Sequence, residues 1–215
     1  MLKQISLLIL CAVAIVLFAT PVHACTSAVV SGKVTLDGRP LLWKNRDTDF
    51  MRNHVDYVKG ERYDFIAVVN SANAYLKEAW MGTNSAGFAL MNTQSYNLVD
   101  VKGDEERGAA NGRVIYRALE VCATVEDFCH FLDTISKPSD IEANFGVIDA
   151  QGGAAMFEVD YYKYVMYDAN NPKDAPYGYI ARTNFSFAGK VNEGAGYVRY
   201  MEADQVLMKA SATGN

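Results

Sequence analysis

Residues 25–47 read CTSAVVSGKVTLDGRPLLWKNRD, and this stretch decides the fold. Two short apolar runs, 25–31 and 40–44, are separated by the turn sequence LDGR at 36–39. Runs of this length on either side of a glycine-containing turn predict two adjacent antiparallel strands. The first strand begins with Cys25, and the second runs into the polar sequence KNRD.

Residues 1–24 have the composition of a secretory leader. Lys3 is their only basic residue, and the apolar run 5–19 follows it. This run is shorter than the roughly 20 residues that a membrane-spanning helix needs. The triplet VHA ends at Ala24 and places small residues where a signal peptidase cuts. We therefore predict a signal peptide at 1–24, a mature chain that begins at Cys25, and export to the periplasm or the extracellular space.

The composition predicts one globular domain over residues 25–215. Half of all residues are hydrophobic, which argues against disorder, and no repeat or linker interrupts the mature chain. The net charge of −5 argues against nucleic-acid binding, which needs clustered Lys and Arg. Besides Cys25, the mature chain contains Cys122 and Cys129 on two neighbouring predicted helices. We expect both to be buried thiols, in preference to a disulfide between them.

The rest of the chain predicts strands on either side of a central pair of helices. Helical spacing of apolar residues predicts a helix at 112–122 and a second one from its N-cap Thr124 to just before Pro138. A last helix is predicted at 197–209. Further strands are predicted at 64–69, 78–82, 88–92, 144–148, 154–159, 163–167 and 177–182. Their short connections cannot contain parallel crossovers, so we predict an α+β fold with antiparallel sheet.

An N-terminal cysteine carries a nucleophile and a base in one residue. The reference pKa of an α-amine is about 7.7–8.0 and that of a thiol is about 8.5, so the amine suits proton transfer near neutral pH. His130 is expected to be a surface or packed residue of a helix, and His54, expected in a loop, stays open as an alternative base. A different interpretation is a lipoprotein anchor, in which a lipidated Cys25 holds a non-catalytic binding protein to a membrane. The residues before the cleavage site leave both interpretations open.

The stretch 25–47 resembles the start of the linear-amide C–N hydrolases of the N-terminal nucleophile superfamily. This group contains choloylglycine hydrolase, penicillin V acylase, acid ceramidase and the penicillin acyltransferases. Its members open with Cys-Thr and reach an Arg-Asn-x-Asp segment, which KNRD matches except that Lys44 replaces the arginine. The resemblance implies an αββα sandwich in which Asp47 lies beside Cys25 and orients its amine. Lys44 and Arg46 are the candidates for the family arginine's role, as substrate-binding residues.

Three later sequences extend the resemblance over nearly all of the mature chain. Each contains one polar residue at a position that the family uses. They are NSAGFALMNTQSYN with Asn92, YIARTNFS with Asn184, and GYVRYMEADQVL with Arg199. The resemblance implies that Asn92 and Asn184 donate hydrogen bonds to the oxyanion and that Arg199 fixes the nucleophile. This chemistry needs no metal and no organic cofactor, and we find no ligand cluster for one in the sequence.

Together these residues predict an exported amidase that cleaves a small-molecule N-acyl amide through a thioester on Cys25. An acyltransferase that passes the same thioester to another amine is one alternative. The lipidated binding module is the other, and only its lipid would bring the protein to a membrane. Because family members continue beyond the arginine-containing helix with further strands, we expect 25–215 to lack C-terminal strands, or to be closed by a homo-oligomer or a second chain.

Overall fold

The computed structural model describes residues 25–100 and 108–213, so the predicted leader at 1–24 lies outside the described residues. The described residues form ten strands and three α-helices, besides short 3₁₀ turns at Gly32–Val34 and Ser71–Leu76. The strands are β1 (Thr26–Val30), β2 (Leu41–Asn45), β3 (Asn53–Val58), β4 (Phe65–Asn70), β5 (Met81–Asn84), β6 (Ala89–Gln94), β7 (Ala143–Ile148), β8 (Ala154–Val159), β9 (Tyr164–Asp168) and β10 (Tyr179–Arg182). The helices are α1 (Asn111–Val121), α2 (Val125–Thr134) and α3 (Tyr197–Thr213).

The strands form two antiparallel sheets, which confirms the predicted α+β class. β1 is the central strand of a three-stranded sheet in the order β10-β1-β2. The other strands form a seven-stranded sheet in the order β3-β4-β5-β6-β7-β8-β9. Side chains alternate across a strand, so each sheet can turn one apolar face toward the other. Val29 of the small sheet and Met91 and Met156 of the large sheet pack together in this interface.

Helices α1 and α2 cover the other face of the seven-stranded sheet. α1 buries Ile115 and α2 buries Phe128 against this face. The Phe128 ring meets the ring of Phe157 edge-on, with 5.0 Å between the centroids. α2 begins after Thr124 as predicted, because the Thr124 side chain accepts a hydrogen bond from the backbone N–H of Asp127 at 3.0 Å.

Helix α3 lies on the outer face of the three-stranded sheet. The Tyr179 hydroxyl on β10 donates to the carboxylate of Asp204 in α3 at 2.8 Å. The layers therefore follow in the order helix pair, large sheet, small sheet, helix. β2 is the open edge of the small sheet, where Leu41 and Trp43 are about half exposed. No helix in the described part of the chain is long and apolar enough to cross a membrane.

Strand β3 corrects the prediction of a loop around His54. β3 is the edge strand of the large sheet, and four of its six residues are exposed, so it lacks the apolar run that marks a buried strand. Its ladder with β4 orders it, and His54 Nδ1 lies 3.0 Å from the Ser71 hydroxyl. The strand predicted at 78–82 also begins later. Before it, the backbone N–H of Ala79 donates to the carbonyl of Gly112 instead of a strand partner.

The described cysteines are free thiols, as expected for Cys122 and Cys129. Cys122 is buried at the end of α1, and Cys129 is half-buried in α2. Burial raises the pKa of Cys122 to about 12, and burial also raises the pKa of Cys129. Both thiols therefore stay protonated and unreactive near neutral pH. His130 is exposed on α2, as expected.

Candidate active site

Cys25 immediately precedes β1 and is held from two sides. Its thiol donates to the backbone carbonyl of Asp47 at 3.6 Å. The Arg199 guanidinium donates to the carbonyl oxygen of Cys25 at 2.6 Å and to the Thr26 hydroxyl at 2.9 Å. Asp47 therefore contacts the predicted nucleophile through its backbone, whereas its carboxylate acts on Arg199 electrostatically. The structure thus brings together three of the residues that the sequence singles out.

Arg199 also connects Cys25 to Asn184. Its Nη2 donates to Asn184 Oδ1 at 3.1 Å, and Asn184 Nδ2 donates to the carbonyl of Gln94 at 2.9 Å. Asn184 is almost fully buried at 1% exposure, so its amide has a fixed orientation. Gly196, just before α3, has a φ of +88°, and a Cβ there would collide with the Arg199 guanidinium. The glycine therefore leaves the space that Arg199 needs to reach β1.

Lys44 and Asn92 form a second group at the same end of the sandwich. Pairing between β5 and β6 ends at Met81 and Met91, so the two strands part just beyond this pair. The Lys44 ammonium lies at this opening, donating to Asn92 Oδ1 at 3.0 Å and to the carbonyl of Trp80 at 2.9 Å. The amide orientation of Asn92 is therefore set by a cation.

Three cationic side chains, Lys44, Arg46 and Arg199, interact electrostatically with Cys25. Burial lowers the pKa of Lys44 to about 8, an effect that Cys25 opposes and Arg46 reinforces. Burial also lowers the pKa of Arg46 and of Arg199, and the negative charge available at Cys25 opposes both shifts.

Arg46 packs against Trp80 instead of Asn92. Its guanidinium carbon lies 5.1 Å from the centroid of the Trp80 ring, and its Nη2 donates to Asn70 Oδ1 at 2.8 Å. Lys44, the residue that departs from the family arginine, is thus the one that contacts a predicted oxyanion donor. The sequence did not point to Trp80 or to the Gln94 carbonyl, because a backbone acceptor leaves no signal in the residue type.

The described residues contain no group of three or more His, Cys, Asp or Glu side chains that could hold a metal ion. The chemistry available to the site is that of a thiol, two carboxamides and several cations. Such a set can attack a carbonyl carbon and stabilise an oxyanion.

We expect the free energy of unfolding to rise with pH above pH 8 through Lys44. Its folded-state pKa of about 8 lies below its ordinary value of 10.5, so the unfolded chain binds more protons between these values. The slope from one such group reaches about 1.4 kcal/mol per pH unit, and it vanishes below the folded pKa. Urea titrations of wild type and Lys44→Met at pH 7, 8.5 and 9.5 measure this pH dependence of the free energy of unfolding.

The Met variant is the matched control, since every other titrating group is common to both proteins. The wild type should gain stability relative to Lys44→Met between pH 8 and 10. A constant difference over this range would mean that Lys44 keeps its ordinary pKa in the folded state.

The fold and the site together define a class. Antiparallel sheets stacked between helices, with a cysteine before the central strand of one sheet, are features of the N-terminal nucleophile linear-amide hydrolases and acyltransferases. The chain belongs to the acyl-coenzyme A:6-aminopenicillanic acid acyl-transferase family, whose model matches residues 35–201. The matched range includes Lys44, Asn92, Asn184 and Arg199 and begins after Cys25. No curated protein sequence matches the chain significantly.

Solved structures share the fold. An N-acylethanolamine-hydrolyzing acid amidase ortholog from Caenorhabditis elegans is 15% identical, with a TM-score of 0.59 over 84% of this chain and 77% of that one. A mutant of the conjugated bile acid hydrolase from Clostridium perfringens is 14% identical, with a TM-score of 0.52 over 85% of this chain. The chain spans 57% of the length of that bile acid hydrolase.

Proposed function

We propose that the protein is an exported cysteine amidase that begins at Cys25 and cleaves small-molecule N-acyl amides. One observation carries the proposal, namely how Cys25 is held. Arg199 binds its carbonyl group, the Asp47 carbonyl accepts its thiol hydrogen, and Asn184 lies one hydrogen bond beyond Arg199. Membership of a family of linear-amide hydrolases and acyltransferases supports the same chemistry.

In the proposed reaction, the Cys25 sulfur attacks the amide carbonyl carbon and the α-amine of the same residue takes the thiol proton. The tetrahedral oxyanion then collapses, the C–N bond breaks, and the proton passes to the leaving amine. The acyl group remains on Cys25 as a thioester. Water attacks this thioester, the α-amine again transfers the proton, and the carboxylic acid leaves with the thiol restored.

Asn92 and Asn184 are the proposed oxyanion donors. Asn184 uses one Nδ2 hydrogen for the carbonyl of Gln94, which leaves the second hydrogen for an oxyanion. Asn92 presents its Oδ1 to Lys44, so its Nδ2 hydrogens point elsewhere. Donors held in place before the reaction need no reorganisation when charge develops. Asp47 and Arg199 fix the nucleophile, and Lys44 and Arg46 contribute positive charge that also suits an anionic part of a substrate.

Acyl transfer is the second candidate, and the family match favours it because the matching model describes an acyl-transferase. The acylation half of the reaction is unchanged. In the second half an amine, instead of water, attacks the thioester and receives the acyl group. Product analysis separates the two reactions.

We expect the purified protein to cleave at least one of three probes: an N-acylethanolamine, a conjugated bile acid or a penicillin. The first two are the substrate classes named for the similar structures, and the third follows from the family's description. Mass spectrometry of an acid-quenched reaction should find the acyl group on the N-terminal peptide. Added 6-aminopenicillanic acid should become acylated only if the protein is a transferase. Failure to cleave any probe, with no acyl adduct, would contradict the proposal.

A further inference from the structure

The segment that carries Asn184 is anchored by a buried asparagine on the opposite sheet. Thr183, Asn184, Phe185 and Ser186 follow β10 and are all buried. This segment belongs to no strand or helix, so its backbone polar groups need partners from elsewhere. Asn144 on β7 supplies partners for two of them and is itself fully buried.

Asn144 binds the residues before and after Asn184. Its Nδ2 donates to the carbonyl of Thr183, which precedes Asn184, and to the carbonyl of Phe185, which follows it, both at 3.1 Å. Its Oδ1 accepts from the Ser186 hydroxyl at 2.6 Å. One side chain therefore holds the peptide group that precedes Asn184, the peptide group between Phe185 and Ser186, and the Ser186 hydroxyl.

Asn144 also connects this segment to Asn92. Its Nδ2 lies 3.1 Å from the hydroxyl oxygen of Thr93, the residue after Asn92 on β6. The Thr93 hydroxyl in turn donates to the carbonyl of Thr183 at 2.8 Å. The contacts of Asn144 thus reach the immediate neighbours of both asparagines that we propose as oxyanion donors.

We propose that Asn144 is a positioning residue that sets the separation between Asn92 and Asn184. This inference rests on the proposed function. An oxyanion binds two donors well only if both are within hydrogen-bond reach of the same point, and an error of about 1 Å can cost 10²-fold in rate. Without Asn144, the carbonyls of Thr183 and Phe185 lose a buried donor, and the backbone around Asn184 shifts to find others.

The matched control is Asn97, a buried asparagine that anchors the same segment farther along. Asn97 binds the backbone N–H and carbonyl of Ser186 and the carbonyl of Lys190. It therefore shares with Asn144 the peptide group between Phe185 and Ser186, whereas Asn144 also binds the carbonyl of Thr183, in the peptide group that precedes Asn184. Asn144→Ala and Asn97→Ala should lower the melting temperature to a similar extent. Only Asn144→Ala should alter the placement of Asn184 against Asn92.

The test uses the full chain as expressed and processed, with 4-nitrophenyl hexanoate as the acylating probe. Asn144→Ala should lower the turnover number at least about 10-fold with little change in KM, whereas Asn97→Ala stays within about 3-fold of wild type. In an Asn184→Ala background, Asn144→Ala should lower the turnover number by less than a further factor of about 3, because no second donor remains to be positioned. The losses of melting temperature caused by the two substitutions should still be additive.

Two outcomes overturn the inference. One is an equal loss of turnover in Asn144→Ala and Asn97→Ala, and the other is a full loss from Asn144→Ala in the Asn184→Ala background. Asn144→Ser, which keeps a hydroxyl for one acceptor, repeats the comparison if the alanine variant does not fold. An Asn184→Ala variant with normal turnover would instead contradict the proposed oxyanion role, so the two failures are distinguishable.

Discussion

Cys25→Ala should abolish amide cleavage while the protein remains folded. Alanine offers no atom that can attack the carbonyl carbon, so no acyl-enzyme forms. Cys25→Ser keeps an oxygen nucleophile, but a hydroxyl ionises far less readily than a thiol, and we expect turnover to fall by orders of magnitude. The fold should survive because Cys25 is only partly buried and the Arg199 bond to it uses the backbone carbonyl. Initial rates and melting temperatures measure the two effects.

Cys129→Ala is the matched control for the loss of a thiol. Cys129 is a half-buried cysteine on α2 that contacts the sulfur of Met166 at 3.9 Å, on the helical side of the large sheet. Its removal should leave amide cleavage unchanged. Activity in Cys25→Ala, or inactivity in Cys129→Ala, would move the nucleophile away from Cys25.

The proposed role of the Cys25 α-amine as the base is tested separately, by measuring the mass of the processed N-terminus. We expect the exported protein to begin at Cys25 with a free amine, because a peptide nitrogen cannot act as the base. A variant blocked in cleavage after Ala24 should therefore be inactive even though its thiol is present. A diacylglyceryl group on Cys25 would support the lipid-anchored binding protein instead.

Patterns of residue type predicted elements whose apolar side chains are buried. The apolar run of β1 and the helical spacing around Phe128 consist of residues that the structure buries. Strand β3 escaped prediction because it is an edge strand with exposed side chains, and only its ladder with β4 defines it. An edge strand of this kind carries no periodic burial for a sequence pattern to reveal.

The residues of the candidate site differ in how far the sequence could predict them. Cys25 was indicated by the predicted cleavage site before it, whereas Asn92, Asn184 and Arg199 were indicated by resemblance, since a single asparagine or arginine has many ordinary roles. The structure brings Arg199 onto Cys25 and Asn184. Asn144 could not be singled out, because its bonds are to backbone carbonyls whose positions depend on the stacking of two sheets.

Asn184→Ala should lower turnover by about 10²–10³ with little change in KM, the usual cost of losing one oxyanion donor. The donor acts when negative charge develops on the carbonyl oxygen, so it stabilises the transition state more than the bound substrate. The measurement is full steady-state kinetics on the best amide substrate. A rise in KM alone would assign Asn184 to substrate binding.

Alanine at this position also removes the Oδ1 atom that accepts from Arg199, so a second variant must separate the two causes. Asn184→Asp keeps an acceptor for Arg199 but replaces the NH₂ donor with an oxygen. If the loss in Asn184→Ala came from a displaced Arg199, the aspartate should restore turnover. If it came from the missing donor, the aspartate should be at least as inactive as alanine, because its negative charge would also repel the oxyanion. We expect the second result, and recovery of activity in Asn184→Asp would assign Asn184 to the support of Arg199.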